Sequence, residues 1–126
     1  MNKAKKTTAD ETAALTSHNL IACAHREGDP VPYDAKSENL LCALFMYHLK
    51  TDLALEGQVT KELVMRAYAN IKTVSPEKLK KQFEKVMPKK RNDPFAEAAR
   101  PYTRADADER EVIHRALLER LERVIS

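Results

Sequence analysis

Glycine is the residue most able to adopt left-handed backbone, and this chain of 126 residues contains only two, against a usual share of roughly 7%. That scarcity constrains the fold more than any other feature. A glycine-rich phosphate cradle cannot be built, so nucleotide-loop enzymes are excluded, and tight β-hairpins are disfavoured. What remains is an all-α chain, expected as a compact bundle of four to six helices. The hydrophobic share of 43% lies just under the globular average of about 45–50% and implies a modest core in a single domain.

The helix boundaries follow from caps and breakers. Thr8-Ala9-Asp10-Glu11 reads as a capping box opening a helix that runs to about Glu27, where Gly28 and Pro30 stop it. At about 100° per residue, Leu15, His18, Ile21, Ala22 and His25 share one face. Val31-Pro32-Tyr33 reads as an extended connector, because Pro32 disfavours a helical residue before it. The second helix is expected from Asp34 or Ser37 to about Leu55, ended by Gly57; its stretch Leu40–Leu49 is apolar nearly all round. A helix with no wet side belongs at the centre of a bundle. Thr60 caps a third helix to about Ile71, and Ser75-Pro76-Glu77 starts a fourth that reaches about Met87 with Leu79, Phe83, Val86 and Met87 inward. Residues 88–104 read as a proline-spaced basic linker carrying a short helix, Phe95–Arg100, that Asp93 caps and Pro101 ends. An amphipathic helix then runs from Ala105 or Asp106 to Ile125, packed in cis or on a partner. Residues 1–7 form a flexible basic N-terminus, and residues 8–87 the helical core.

The longest uninterrupted apolar run, Leu40–Tyr47, is far short of the roughly 20 residues that span a bilayer. No apolar signal segment follows the basic N-terminus. Cys23 and Cys42 sit in apolar helical stretches and are expected to be reduced, buried small hydrophobes. Together these features predict a soluble cytoplasmic protein with no membrane contact.

The net charge of +3 conceals a segregation. Residues 72–104 hold 10 Lys/Arg against 4 Asp/Glu, while the segments on either side are slightly acidic. Lys78, Lys81 and Lys85 fall on one flank of the fourth helix, with Gln82 between them and the apolar stripe; Lys89, Lys90 and Arg91 follow directly. Six cations in that arrangement can follow a phosphate backbone, DNA sooner than RNA, and Gln82 is the side chain there suited to reading a base edge. The bland reading is a solvated face on which Glu77–Lys81 and Lys80–Glu84 pair at i,i+4. An acidic protein partner is a third. No aromatic residue is interleaved with the lysines for stacking. The spacing Ser75–Leu79–Phe83 is similar to that of recognition helices in bacterial transcription regulators, which would make the third and fourth helices a helix-turn-helix. The turn lacks glycine, however, and Lys72 stands where that motif expects an apolar residue.

Other constellations are weaker. His18 and His25 share a face but lie about 10.5 Å apart along it, too far for one ion with bonds of about 2 Å, and no metal site or cofactor is expected. Tyr47, His48 and Asp52 are the tightest titratable cluster; Asp52 at i+4 could orient the imidazole. No nucleophile accompanies them, so no enzyme is expected. The stripe Ile113, Leu117, Leu121 and Val124 of the last helix offers the alternative function, a protein-interaction module (adaptor or inhibitor) with no nucleic-acid role. The prolines before it would also allow a side-by-side or domain-swapped homodimer.

Overall fold

A computed structural model describes residues 8–90 and 92–125. It comprises six α-helices and one short 3-10 turn: α1 (Thr8–Ala24), α2 (Val31–Thr51), the turn Leu53–Leu55, α3 (Lys61–Thr73), α4 (Pro76–Lys85), α5 (Pro94–Thr103) and α6 (Ala107–Ile125). The described residues contain no strand. The basic N-terminus assigned to residues 1–7, and Arg91 of the basic run, lie outside the described residues.

α2 is the central helix. It packs on α1, α3, α5 and α6, and every residue from Leu40 to Met46 is buried. It begins earlier than the sequence predicts: Pro30 is an extended N-cap, and Pro32 falls in the first turn, where a missing N–H removes only a group that no helical carbonyl would have received. It also ends earlier, at Thr51. Asp52 leaves the helix and its carboxylate accepts from Ala54 N at 3.0 Å. Gly57, with Glu56 before it, instead closes the 3-10 turn, both at positive φ.

α1 ends at Ala24 and turns a different face inward from the one expected. Ala13, Ser17, Ile21 and Ala24 are buried, whereas Leu15 is 61% exposed. At about 100° per residue Leu15 falls on the opposite side of the helix from residues 13 and 17. Of the two free cysteines, Cys42 is buried as expected; Cys23 is exposed.

The largest correction concerns residues 88–104, which are not a linker. α5 spans most of this stretch and runs through Pro101 to Thr103. Phe95, Ala99 and Tyr102 are almost wholly buried. The ring of Phe83 meets Phe95 at 5.5 Å and Tyr102 at 6.1 Å, so the aromatic heart of the core joins α4 to the supposed linker. The α6 stripe is likewise internal. Ile113, Leu117 and Leu121 are buried in the same core as α2, and Val124 is half-buried against it. α6 packs in cis, with its apolar stripe turned into the core.

Candidate nucleic-acid interface

α4 is held by few anchors and leaves a wide flank open. Ser75 caps it by accepting from Lys78 N at 3.2 Å; Leu79 and Phe83 are its buried residues. It packs on α5 and α6, with little contact to α3. α3 and α4 therefore do not form the packed pair that a helix-turn-helix requires.

Lys78, Lys81 and Lys85 are exposed on the side of α4 away from the core, and Lys89 and Lys90 are exposed just beyond it. The structure thus brings together five of the six predicted cations. For Lys81, the i−4 carboxylate is drawn away by α6. Arg110 is 5% exposed and donates to the carbonyls of Tyr102 at 3.1 Å and Thr103 at 3.3 Å, and also to that of Ala105, filling the open acceptors at the end of α5. Its remaining nitrogen takes Glu77 Oε2 at 3.1 Å. Glu77 also lies 4.0 Å from Lys80, so neither the Glu77–Lys81 nor the Lys80–Glu84 pair forms. Among the described residues no carboxylate pairs with Lys78, Lys81, Lys85, Lys89 or Lys90.

Gln82 is placed differently from expectation. It is half-buried, and its Oε1 lies at a long 3.5 Å from Asn70 Nδ2. It lines a shallow, solvent-open depression of about 470 Å³ between α2, α3 and α4, together with Tyr47, His48, Asp52, Arg66, Asn70 and Thr73. Asn70 Nδ2 also donates to His48 Nε2 at 3.2 Å, while the Asn70 carbonyl oxygen is buried with no hydrogen-bond partner. Burial, reinforced by the Arg66 charge, holds His48 below the usual imidazole range. The proposed His48–Asp52 couple does not form, because Asp52 turns to Ala54 N and to the Arg66 guanidinium. The sequence does not reveal this depression, which three helices assemble; Asn70 carries no local signal.

A second charged cluster lies at the other end of α2. His25 Nδ1 approaches Asp34 at 2.6 Å; Arg120, 2% exposed, donates to Asp34 at 2.8 Å; Arg123 donates to Asp29 at 2.5 Å. The Arg123 guanidinium lowers the Asp29 carboxyl to about 2. His25, Asp29 and Asp34 present ligand atoms within 4.8 Å of one another, but two guanidiniums already neutralise the carboxylates, and a cation would have to displace them. The cluster is a structural seam. His18, by contrast, pairs on the surface with Glu38 at 2.9 Å. His114 is buried in the core, where its Nε2 donates to Ile71 O and its Nδ1 accepts from Tyr102 Oη, both at 2.8 Å.

Comparison with known protein families, characterised proteins and solved structures returns no match for this chain. No helix among the described residues is long and apolar enough to cross a membrane.

Proposed function

We propose that this protein binds nucleic acid, DNA in the first instance, as a regulatory or accessory factor, gripping phosphates with the exposed flank of α4 and the segment after it. The observation that carries the reading is the set of five exposed lysines without ion pairs, Lys78, Lys81, Lys85, Lys89 and Lys90, on one helix and its continuation. The arginines Arg66, Arg110, Arg115, Arg120 and Arg123, by contrast, all hold carboxylates. Exposed, unpaired cations gathered on one helix flank and its continuation are suited to an external polyanion. Contacts of this kind position a strand without reading it. A base-reading role for Gln82 on this flank would need its side chain to turn out from Asn70.

The test is binding to random-sequence duplex and single-stranded DNA between about 50 and 200 mM salt. Five phosphate contacts give a log–log slope of about −3 to −5, so affinity should fall by roughly 10²–10³-fold across that range. Reversing Lys81, Lys85 and Lys89 to Glu should remove most of the slope. Binding without salt dependence, or none to either form of DNA, overturns the reading. An acidic protein partner, captured through the same lysines by a protein that ignores DNA, would then take its place.

A further inference from the structure

Residues 12–25 contain no Asp, Glu, Lys or Arg, the longest such run in a chain that is 33% charged. The comparable stretch of α2 is interior, but α1 keeps one side of its run in solvent. Leu15, His18, Asn19 and Ala22 are all exposed, Leu15 to 61%. Just outside the run stand an exposed acid, Glu11, and an exposed base, Arg26. Neither pairs with another described residue. We infer that this face is a self-complementary interface through which two copies of the chain pair, α1 antiparallel to α1 about a two-fold axis between His18 and Asn19.

The order of residues on the face selects the occupant. In an isologous contact residue i meets j and j meets i. With the axis between His18 and Asn19, Leu15 faces Ala22 of the second copy, Glu11 faces Arg26 of the second copy, and each contact recurs with the roles exchanged. The largest apolar side chain on the exposed face thus meets the smallest, a fit that lets two helices interdigitate. Each end of the uncharged run is closed by opposite charges, which fix register and orientation more than they add affinity. A parallel arrangement would set Glu11 on Glu11 and Arg26 on Arg26, repelling at both ends. A foreign helix would match this face only by carrying the same pattern reversed, and a second copy already supplies it. α1 is about 25 Å long at roughly 1.5 Å per residue. Two such faces bury less than about 1,200 Å² in total, the range of transient complexes, so the dimer is expected at about 10–100 µM rather than at nanomolar concentrations. The lysine flank belongs to a different helix, and the pairing does not depend on it.

Sedimentation velocity of the intact protein from about 5 to about 500 µM tests the pairing. Wild type should pass from monomer to dimer across that range; a monomer throughout overturns the proposal. Leu15→Lys, at an exposed position, should weaken association about tenfold or more with an unchanged thermal melt of the monomer. A dimer indifferent to that change lies on another face and equally overturns it. Glu11→Arg and Arg26→Glu should each weaken association roughly three- to tenfold, since one substitution creates two repulsions by symmetry. The double variant should return to within about twofold of wild type, and a failure to recover overturns the antiparallel register. Cross-linking reads the axis directly. In a Cys23→Ser background, Asn19→Cys should give a disulfide-linked dimer on oxidation, because Cα atoms beside the axis come within the roughly 7 Å that a disulfide spans. Cys23 of wild type would lie about 13 Å along the axis from its copy and should not link. Dimers linked through Cys23 in place of Asn19→Cys overturn the proposed register.

Discussion

The molecule carries two concentrations of charge that behave in opposite ways. In the seam between the start of α2 and the end of α6, Asp29, Asp34, Arg120 and Arg123 engage one another across nearly the whole length of the chain. On α4, five lysines face solvent with no carboxylate attached. The seam consists of arginines, whose planar forks suit fixed pairs; the flank consists of lysines, which act as mobile point charges. Charges that hold a fold together are buried and matched, whereas charges available to a partner are exposed and unmatched. Arg110 links the two cases, because by drawing Glu77 toward the end of α5 it removes a carboxylate that would otherwise quiet Lys81.

The largest effect expected from this contrast is on stability. Arg120→Met should destabilise the protein by about 2–4 kcal/mol, somewhat below the 3–5 kcal/mol of a fully buried broken pair, because Asp34 keeps part of its exposure. The triple reversal of Lys81, Lys85 and Lys89 to Glu should leave stability within about 0.5 kcal/mol. Urea unfolding of both variants checks the pair of outcomes. A large loss from the lysine reversal would make the flank structural and erase the distinction.

The same contrast marks where the sequence was legible. Caps at Thr60, Ser75 and Asp93 were readable because a cap depends on residues three apart, and all three accept the expected backbone N–H. The central helix was readable because Leu40–Met46 admits no wet face. Lysine exposure followed from helical spacing alone. The seam is not readable from the sequence, because Arg120 and Asp34 are 86 residues apart. The short helix over Phe95–Arg100 is legible from Asp93 and Pro94, but its continuation through Pro101 and its place in the core are not, because three prolines outweigh Phe95 and Tyr102; Pro94 sits harmlessly at the first helical position, and Pro101 forgoes one hydrogen bond in a helix that the core holds by its rings. The depression beside Gln82 was missed for the reason the seam was, since Asn70 meets His48 only after α2 and α3 pack.

A middle-sized effect separates interior from flank by pH. Burial lowers His48 and His114, with backbone carbonyls at Ile71 and Val74 partly opposing it for His114. Both histidines therefore prefer to be neutral in the fold. The stability this gives is fully present above the unfolded imidazole value of about 6.5 and is lost as pH falls below it, because the unfolded chain takes up protons first. The melting temperature should drop from pH 7.5 to 5.5, and His114→Gln should flatten that dependence while lowering stability throughout. The lysine-reversed protein should keep the wild-type pH profile, since it leaves both buried histidines in place.

The smallest effect lies at the exposed end of the seam. The Arg123 guanidinium, followed by a backbone bond from Arg26, lowers Asp29 to about 2 from 3.8. A carboxyl held below its unfolded value adds stability above pH 3.8, and that contribution disappears as pH falls toward 2. Arg123→Gln should remove this part of the acid sensitivity by lowering stability at pH 7, modestly because the pair lies near the surface in water, while leaving stability near pH 2 unchanged. Acid titration of unfolding, compared between wild type and Arg123→Gln, checks it. If the variant instead loses as much stability at pH 7 as Arg120→Met, burial is not what grades the seam. The contrast with the flank would then rest on pairing alone, with any matched charge structural wherever it lies.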